Sequence, residues 1–580
     1  MGRNGRRKSG DHFFSGLLVR IGRIDMADTT ISPPGAAAGG SRPSLFLRNA
    51  TGLVKAWSTF DAFLYSFWSV NLITLGLYGM SFAYFVPDGQ VLTAVLITGV
   101  LVTFLVIAYA ALVSVMPRTG GDYAWQSRVL GGGVGFVLAI TGWWFTLWLW
   151  TPIYANILIV QFFEPLAYTL GQSGIAAFFA TQWGVFVACL IVLAFVSLVV
   201  TLGMETYARI QKVCFWLGLI GLAVTCGLLL FASQSDFQAA FNREATSLFG
   251  AAPNAYQGTL DAASKGGYSP HDFTFFSLGP TLLLLPFLAF YLLWPNWGAT
   301  LYGEVRGAKE LRKPFLSMFW GLWVTVALVV LVLVLTAKTI GWGFYNAANA
   351  AYWNPIYLVP NAPAAPVPIW PYPVMFAGWL VDNHIFQAVL ILVMGLWFFG
   401  WAGTLFLSST RVIFAAAFDR VLPSWAANIS AKRRVPYGSL LLMVVPSLAV
   451  SALFAWNVFG FAAAYLDATA VIAITFLGTL VAAIILPWRR KDIYNNSPIA
   501  KYKIAGIPMI TVAGVVAAIF IGFMIYEWAT NATYGSNSVP SAIYLGATYL
   551  LAVVIYVIAR VVRQRQGIDL SRIHHEIPVE

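Results

Sequence analysis

Two apolar runs in this 580-residue chain carry residues that an unbroken membrane helix would avoid. Phe60–Phe85 holds Asn71, Thr74, Gly76, Gly79 and Ser81, and Ser277–Gly303 holds Pro280, Pro286, Pro295, Asn296 and Gly298. Interrupting such a helix leaves backbone N–H and C=O groups without partners, which is tolerable in hydrocarbon only where they line a wet cavity. The chemistry on offer is recognition rather than bond-making. N–H groups at the start of a half-helix can receive an anionic group and freed carbonyls a cationic one, so no ionised side chain is needed. Neither run has a Lys, Arg, Asp or Glu near its middle. In the first run, Gly76 and Gly79 would let the backbone open and approach an anion, while Asn71 and Thr74 supply side-chain polarity. Close helix packing through small residues is the competing explanation.

These runs belong to a larger set. A helix needs about 20 apolar residues to cross the hydrocarbon. The other runs long enough are Val91–Val115, Gly131–Phe163, Trp183–Leu202, Ile210–Phe231, Phe315–Ala337, His384–Phe418, Leu440–Phe459, Ala463–Pro487, Ile507–Trp528 and Ile543–Val562. The fold class read from this is all-α integral membrane, with about twelve spans. The first ten divide into two sets of five: the first run of each is interrupted, and the third (Gly131–Phe163, His384–Phe418) is too long for an upright helix and must tilt. Interrupted runs at corresponding positions of two halves point to a 5+5 inverted repeat with a binding site at the bilayer midplane. Five spans per half make the halves opposite in topology. The expected organisation is a tail over 1–56, a first repeat over 57–231, an outer loop over 232–274, a second repeat over 275–488, two peripheral helices over 489–563 and a C-terminal tail over 564–580.

Charge fixes the orientation. With the N-terminus inside, all 34 Lys and Arg except Arg243, Lys265 and Lys338 fall on one side, as the positive-inside bias requires. Both termini are therefore expected in the cytosol and the chain in the cytoplasmic membrane. The composition agrees: 59% hydrophobic, 10% charged, mean hydropathy +0.77. The net charge of +12 sits in short loops beside apolar helices, so its partner is anionic lipid and not nucleic acid. Cys189, Cys214 and Cys226 all lie in apolar runs and read as packing, with no metal or disulfide role. The basic residues before the first run, with Pro33–Gly40 among them, read as a disordered cytosolic tail.

Three loop motifs carry a resemblance. Met116-Pro117-Arg118-Thr119-Gly120-Gly121-Asp122-Tyr123, ending in Ser127-Arg128, follows the second run. Gly303-Glu304-Val305-Arg306, with Pro314 beyond it, follows the sixth. Arg411-Val412-Ile413-Phe414-Ala415, then Asp419-Arg420-Val421-Leu422-Pro423 and Val435-Pro436, closes the eighth. In this order, and all on the expected cytosolic side, they resemble the amino acid/polyamine/organocation (APC) permease superfamily over roughly Trp57 to Val562. The resemblance implies a secondary transporter with broken first and sixth helices, moving amino acids or related small organic cations and zwitterions. It implies an unwound segment at Phe290–Asn296: Phe290 as the aromatic over the substrate, carbonyls of Tyr291, Leu292 and Leu293 for an ammonium, and Asn296 at a polar position. Two features depart from the family. A Gly-Ser-Gly cluster is missing from the first run, and Trp294 stands where a glycine is usual, which reshapes the pocket.

Coupling to H+ or Na+ is open. The fifth run has no lysine at the matching place near Gly218, and Lys212 reads as snorkelling to the cytosolic surface. Thr404 is the candidate hydroxyl for an ion. The cluster Trp143, Trp144, Phe145, Trp148 and Trp150 reads as packing, with lining of an outer vestibule or cation binding as the alternative. An intramembrane enzyme would need catalytic groups inside the spans, yet the histidines lie outside them or at an edge, and Asp467 is the one acid well within a run. No cofactor is expected. An exchanger or uniporter of another small organic solute is the alternative. A channel is a weaker one, since neither charged rings nor a carbonyl filter is visible.

Overall fold

The computed structural model describes residues 53, 55–269, 271–357, 361–458 and 465–577. Most of the N-terminal tail read from the sequence lies outside them. Asn49–Glu580 forms one compact unit. Twelve helices in it are long and apolar enough to cross a membrane. They are span 1 (Thr59–Phe85), span 2 (Val91–Val115), span 3 (Gly132–Thr169), span 4 (Gln182–Leu202), span 5 (Met204–Phe231) and span 6 (Leu278–Glu304). Then come span 7 (Arg312–Ile356), span 8 (His384–Phe418), span 9 (Tyr437–Ala455), span 10 (Leu466–Arg489), span 11 (Met509–Thr530) and span 12 (Val539–Arg565).

Spans 1 and 6 are both broken near the middle. In span 1 the α-helix stops at Val70. Asn71 takes φ +42°, its carboxamide oxygen accepts the Thr74 N–H (3.0 Å), and its amide donates to the Trp397 carbonyl (3.2 Å). Asparagine tolerates positive φ because its short polar side chain can bond locally. A π-turn over Leu72–Gly76 restarts the helix. In span 6 the α-helix ends at Leu292 and a 3₁₀ stretch runs over Trp297–Glu304. Pro295 accounts for this break, since it has no N–H to give the Tyr291 carbonyl and its ring crowds that turn.

Span 7 departs most from the sequence reading, which ended it at Ala337. The helix passes a π-turn at Ala337–Gly341 and continues over Trp342–Tyr357. The segment after span 5 and the one before span 8 also fold into helices, Gln234–Phe249, Ala255–Lys265 and Pro373–Trp379. Together they build a cap over span 1 and explain two exceptions to the charge rule. Lys338 Nζ donates to the carbonyls of Leu229, Leu230 and Ala232 at 2.6–3.2 Å, capping the end of span 5. Arg243 donates to the Trp379 carbonyl (2.6 Å) and pairs with Glu244 and Asp382.

Candidate functional site

The breaks in spans 1 and 6 meet at a closed cavity of about 10 Å³, room for roughly one water. Its walls are Ser69 and Leu75 from span 1, Trp150 and Tyr154 from span 3, Trp294 and Trp297 from span 6, and Trp401 and Thr404 from span 8. No wall residue is ionisable at neutral pH. The rings pack in two ways: Trp294 lies T-shaped to Trp150 (5.8 Å) and to Trp297 (5.4 Å), and Tyr154 stacks on Trp401 (3.5 Å).

Above the cavity Phe290 stacks on Trp150 (5.4 Å) and leans on Tyr78 (6.1 Å). Tyr78 in turn contacts the cap residues Trp353 (5.8 Å) and Trp370 (5.9 Å), and the Trp353 indole donates to Ser81 (3.3 Å). On the opposite side Trp297 rests on Trp143 at 4.4 Å. Beyond that, the three loop motifs come together through two buried ion pairs. Arg411 grips Glu304 in a bidentate pair (2.9 and 3.2 Å), and Arg128 grips Asp419 (2.5 and 2.9 Å). Residues 107 and 291 positions apart in sequence are thus joined in one seal. The motif glycines permit its closeness: Gly120 (φ +93°) donates its N–H to the Thr300 carbonyl at 2.8 Å, and a Cβ on Gly121 (φ +37°) would lie 2.9 Å from the Thr300 nitrogen.

Of the residues singled out from sequence, Trp294 and Thr404 line the cavity. The Thr404 carbonyl accepts from Tyr65 Oη and Trp297 Nε1, each at 3.1 Å. Asn71 forms the break, and Thr74 sits in the turn after it with its carbonyl held by Gln161 of span 3 (2.9 Å). Gly76 and Gly79 face Tyr291 of span 6: a Cβ would sit 3.4 Å from its ring at Gly76 and 3.1 Å at Gly79. Phe290 roofs the cavity. The Phe290 carbonyl is occupied by the Trp294 indole (2.7 Å), whereas Tyr291, Leu292 and Leu293 end the helix, where carbonyls lose their intrahelical donors. Asn296 is fully buried on the floor, with neither carboxamide atom hydrogen-bonded to a described residue.

Ser69, Leu75, Trp150, Tyr154, Trp297 and Trp401 were not among the sequence candidates. Trp150, which reads from the sequence as packing, is a wall of the cavity. The available signal was spacing for one pair: Trp150 and Tyr154 are four apart within one helix and so share a face.

The family model for amino acid permeases matches residues 58–558. The chain belongs to the amino acid permease family. It is thereby a member of the APC superfamily and a multi-pass membrane transporter rather than an enzyme. Among solved structures it is similar to the crystal structure of MhsT in complex with L-phenylalanine, with TM-score 0.51 and 14% identity over 82% of this chain and 99% of that one. At that identity the likeness speaks for the fold. No curated protein sequence matches significantly.

Proposed function

We propose that this permease moves amino acids, or related small organic cations and zwitterions, across the cytoplasmic membrane by alternating access, with both termini cytosolic. The observation that carries this is the cavity between two broken helices whose walls hold no charged side chain. A zwitterion there takes its charge partners from backbone. Its carboxylate is received by N–H groups of the turn beginning at Leu72, where Asn71 already occupies that of Thr74. Its ammonium is received by the carbonyls of Tyr291, Leu292 and Leu293, with Thr404 and Ser69 supplying hydroxyls. Phe290 and the aromatic roof close the outer side, and the two ion pairs close the cytosolic side. Spans 1–5 and 6–10 act as the inverted halves that rock about this point.

Trp294 is the specificity element. Where a glycine would leave space, its indole fills the cavity and selects small or flat side chains. A thermal-shift screen of the purified protein against amino acids, amines and carboxylates tests the class: a ligand at 100 times its Kd stabilises by about 2.7 kcal/mol. Counterflow in proteoliposomes with each hit then tests transport. Stabilisation by anions alone, with none from amines or amino acids, would overturn the assignment.

A further inference from the structure

The floor of the cavity hides a carboxyl group that substrate recognition does not use. Asp122 lies in the short helix Gly121–Val129, between spans 2 and 3, and is fully buried. Its Oδ1 accepts from Tyr109 Oη of span 2 (2.5 Å) and Thr479 Oγ1 of span 10 (2.6 Å), while Oδ2 has no hydrogen-bond partner among the described residues. The Trp143 indole, which carries Trp297, lies beside it, and the Asn296 carboxamide faces the Tyr109 hydroxyl. A continuous polar and aromatic path thus runs from the cavity wall at Trp297, through Trp143, to Asp122.

We infer that Asp122 is the coupling-proton site of this transporter, reached from the cavity in one conformation and from the cytosol in the other.

Three observations support it. First, a buried carboxylate with two neutral donors and no cation is costly, and a proton removes that cost. Burial is the dominant influence and outweighs the Tyr109 and Thr479 hydrogen bonds, pushing the carboxyl up to about 6.

Second, no charged side chain among the described residues bonds the Asp122 carboxyl, and Arg490, which donates to the Arg128 carbonyl of this helix, pairs with Asp492. Glu304 of span 6 and Arg411 of span 8 bind each other, and Arg128 and Asp419 do likewise. Asp467 and Arg489 occupy the two ends of span 10, and the helical start of span 3 is uncharged. The C-terminal helix Leu570–His575 brings Arg572, His574 and His575, of which His574 meets Tyr123 at 3.2 Å. Tyr109 and Tyr123 are the neighbouring phenols.

Third, Asp122 sits in the seal itself, next to Gly121 against Thr300. Opening the cytosolic side must part span 6 from this helix and admit water. The carboxyl O–H then breaks, its proton leaves to cytosolic water, and the carboxylate remains bonded to Tyr109 and Thr479. Substrate and proton leave through the same opening.

This inference rests on the permease reading, and the experiment separates the two. Infrared titration of the purified protein from about pH 4 to about pH 8, spanning ordinary carboxylates to neutrality, is compared for wild type, Asp122→Asn and Tyr109→Phe. The expected result is a buried-carboxyl band that titrates in wild type, is lost in D122N, and titrates at higher pH in Y109F, because a donor to the ionised form has gone. Proteoliposomes are then given an imposed pH gradient and a mixture of the twenty proteinogenic L-amino acids. Wild type should accumulate at least one of them about tenfold per pH unit for one proton per substrate, and D122N should exchange it without accumulating it. An Asp122 ionised throughout the titration, or accumulation by D122N equal to wild type, overturns the inference. If no amino acid exchanges in wild type, proteinogenic amino acids are removed from the proposed substrates, and the infrared titration alone decides whether Asp122 binds a proton.

Discussion

Replacing Glu304 with Gln should unlock the ion-paired side of this transporter, which the proposed orientation makes cytosolic. Glu304 and Arg411 are 4% and 1% exposed at the side chain and share a bidentate contact. Glu304→Gln leaves the guanidinium buried, with the Thr410 hydroxyl at 3.4 Å as a weak remaining contact. Removing one member of a buried pair costs about 3–5 kcal/mol, mostly the penalty of the stranded charge. At about 1.4 kcal/mol per decade, that is two to four decades in an equilibrium. The charge has a way out: Arg411 borders a cleft of about 330 Å³, also lined by Lys432, Arg433 and Arg434. The cost therefore falls on the sealed conformation and favours an open one. The assay is labelling of a cysteine at Ser69, on a background free of Cys189, Cys214 and Cys226, by an impermeant maleimide applied from the cytosolic face. Labelling should rise by about two decades or more in E304Q and fall back in E304Q/R411M, where no charge is stranded. Unchanged labelling in E304Q, or single-mutant effects that simply add in the double mutant, would refute the reasoning.

Trp294→Ala should cost about 3–5 kcal/mol of stability, as for other buried tryptophans, while shifting ligand-induced thermal stabilisation toward bulkier side chains; an unchanged ligand profile would remove Trp294 as the selector. Gly121→Ala should damage folding or uptake, because φ +37° and a Cβ 2.9 Å from Thr300 are both unfavourable. Gly76→Ala, with its nearest atoms at 3.4 Å, should be mild by comparison, and paired melting curves rank the two. Asp569 caps the C-terminal helix, and the Ser571 hydroxyl and N–H hold its carboxyl below the usual range. A depressed folded-state value stabilises above the ordinary carboxylate range and is lost as pH falls through it. Protection factors over 570–575, taken relative to the base-catalysed intrinsic exchange rate, should therefore fall on acidification in wild type, and Asp569→Asn should flatten that dependence.

The spans, the breaks and the permease motifs were all legible because each is written locally. Twenty apolar residues have one stable state in lipid, and Pro295 removes a hydrogen bond wherever it sits in a helix. The walls of the cavity were not legible. Trp143 and Trp150 are both tryptophans on one span, yet one props the floor and the other faces the cavity, and composition cannot separate them. The outer segments were also opaque, since their modest apolarity matches neither a span nor a plain loop; they fold by packing Phe237, Phe241 and Phe344 against one another.

Sequence by itself determined how many helices are apolar enough to cross a membrane and where two of them must break, because hydropathy and proline act over a few residues. Tertiary structure alone decided which side chains surround the cavity, that Glu304 meets Arg411 and Arg128 meets Asp419, and that Asp122 is buried without a cation. Those outcomes depend on contacts across more than a hundred positions, and burial, the quantity that sets their energies, exists only once the helices have packed.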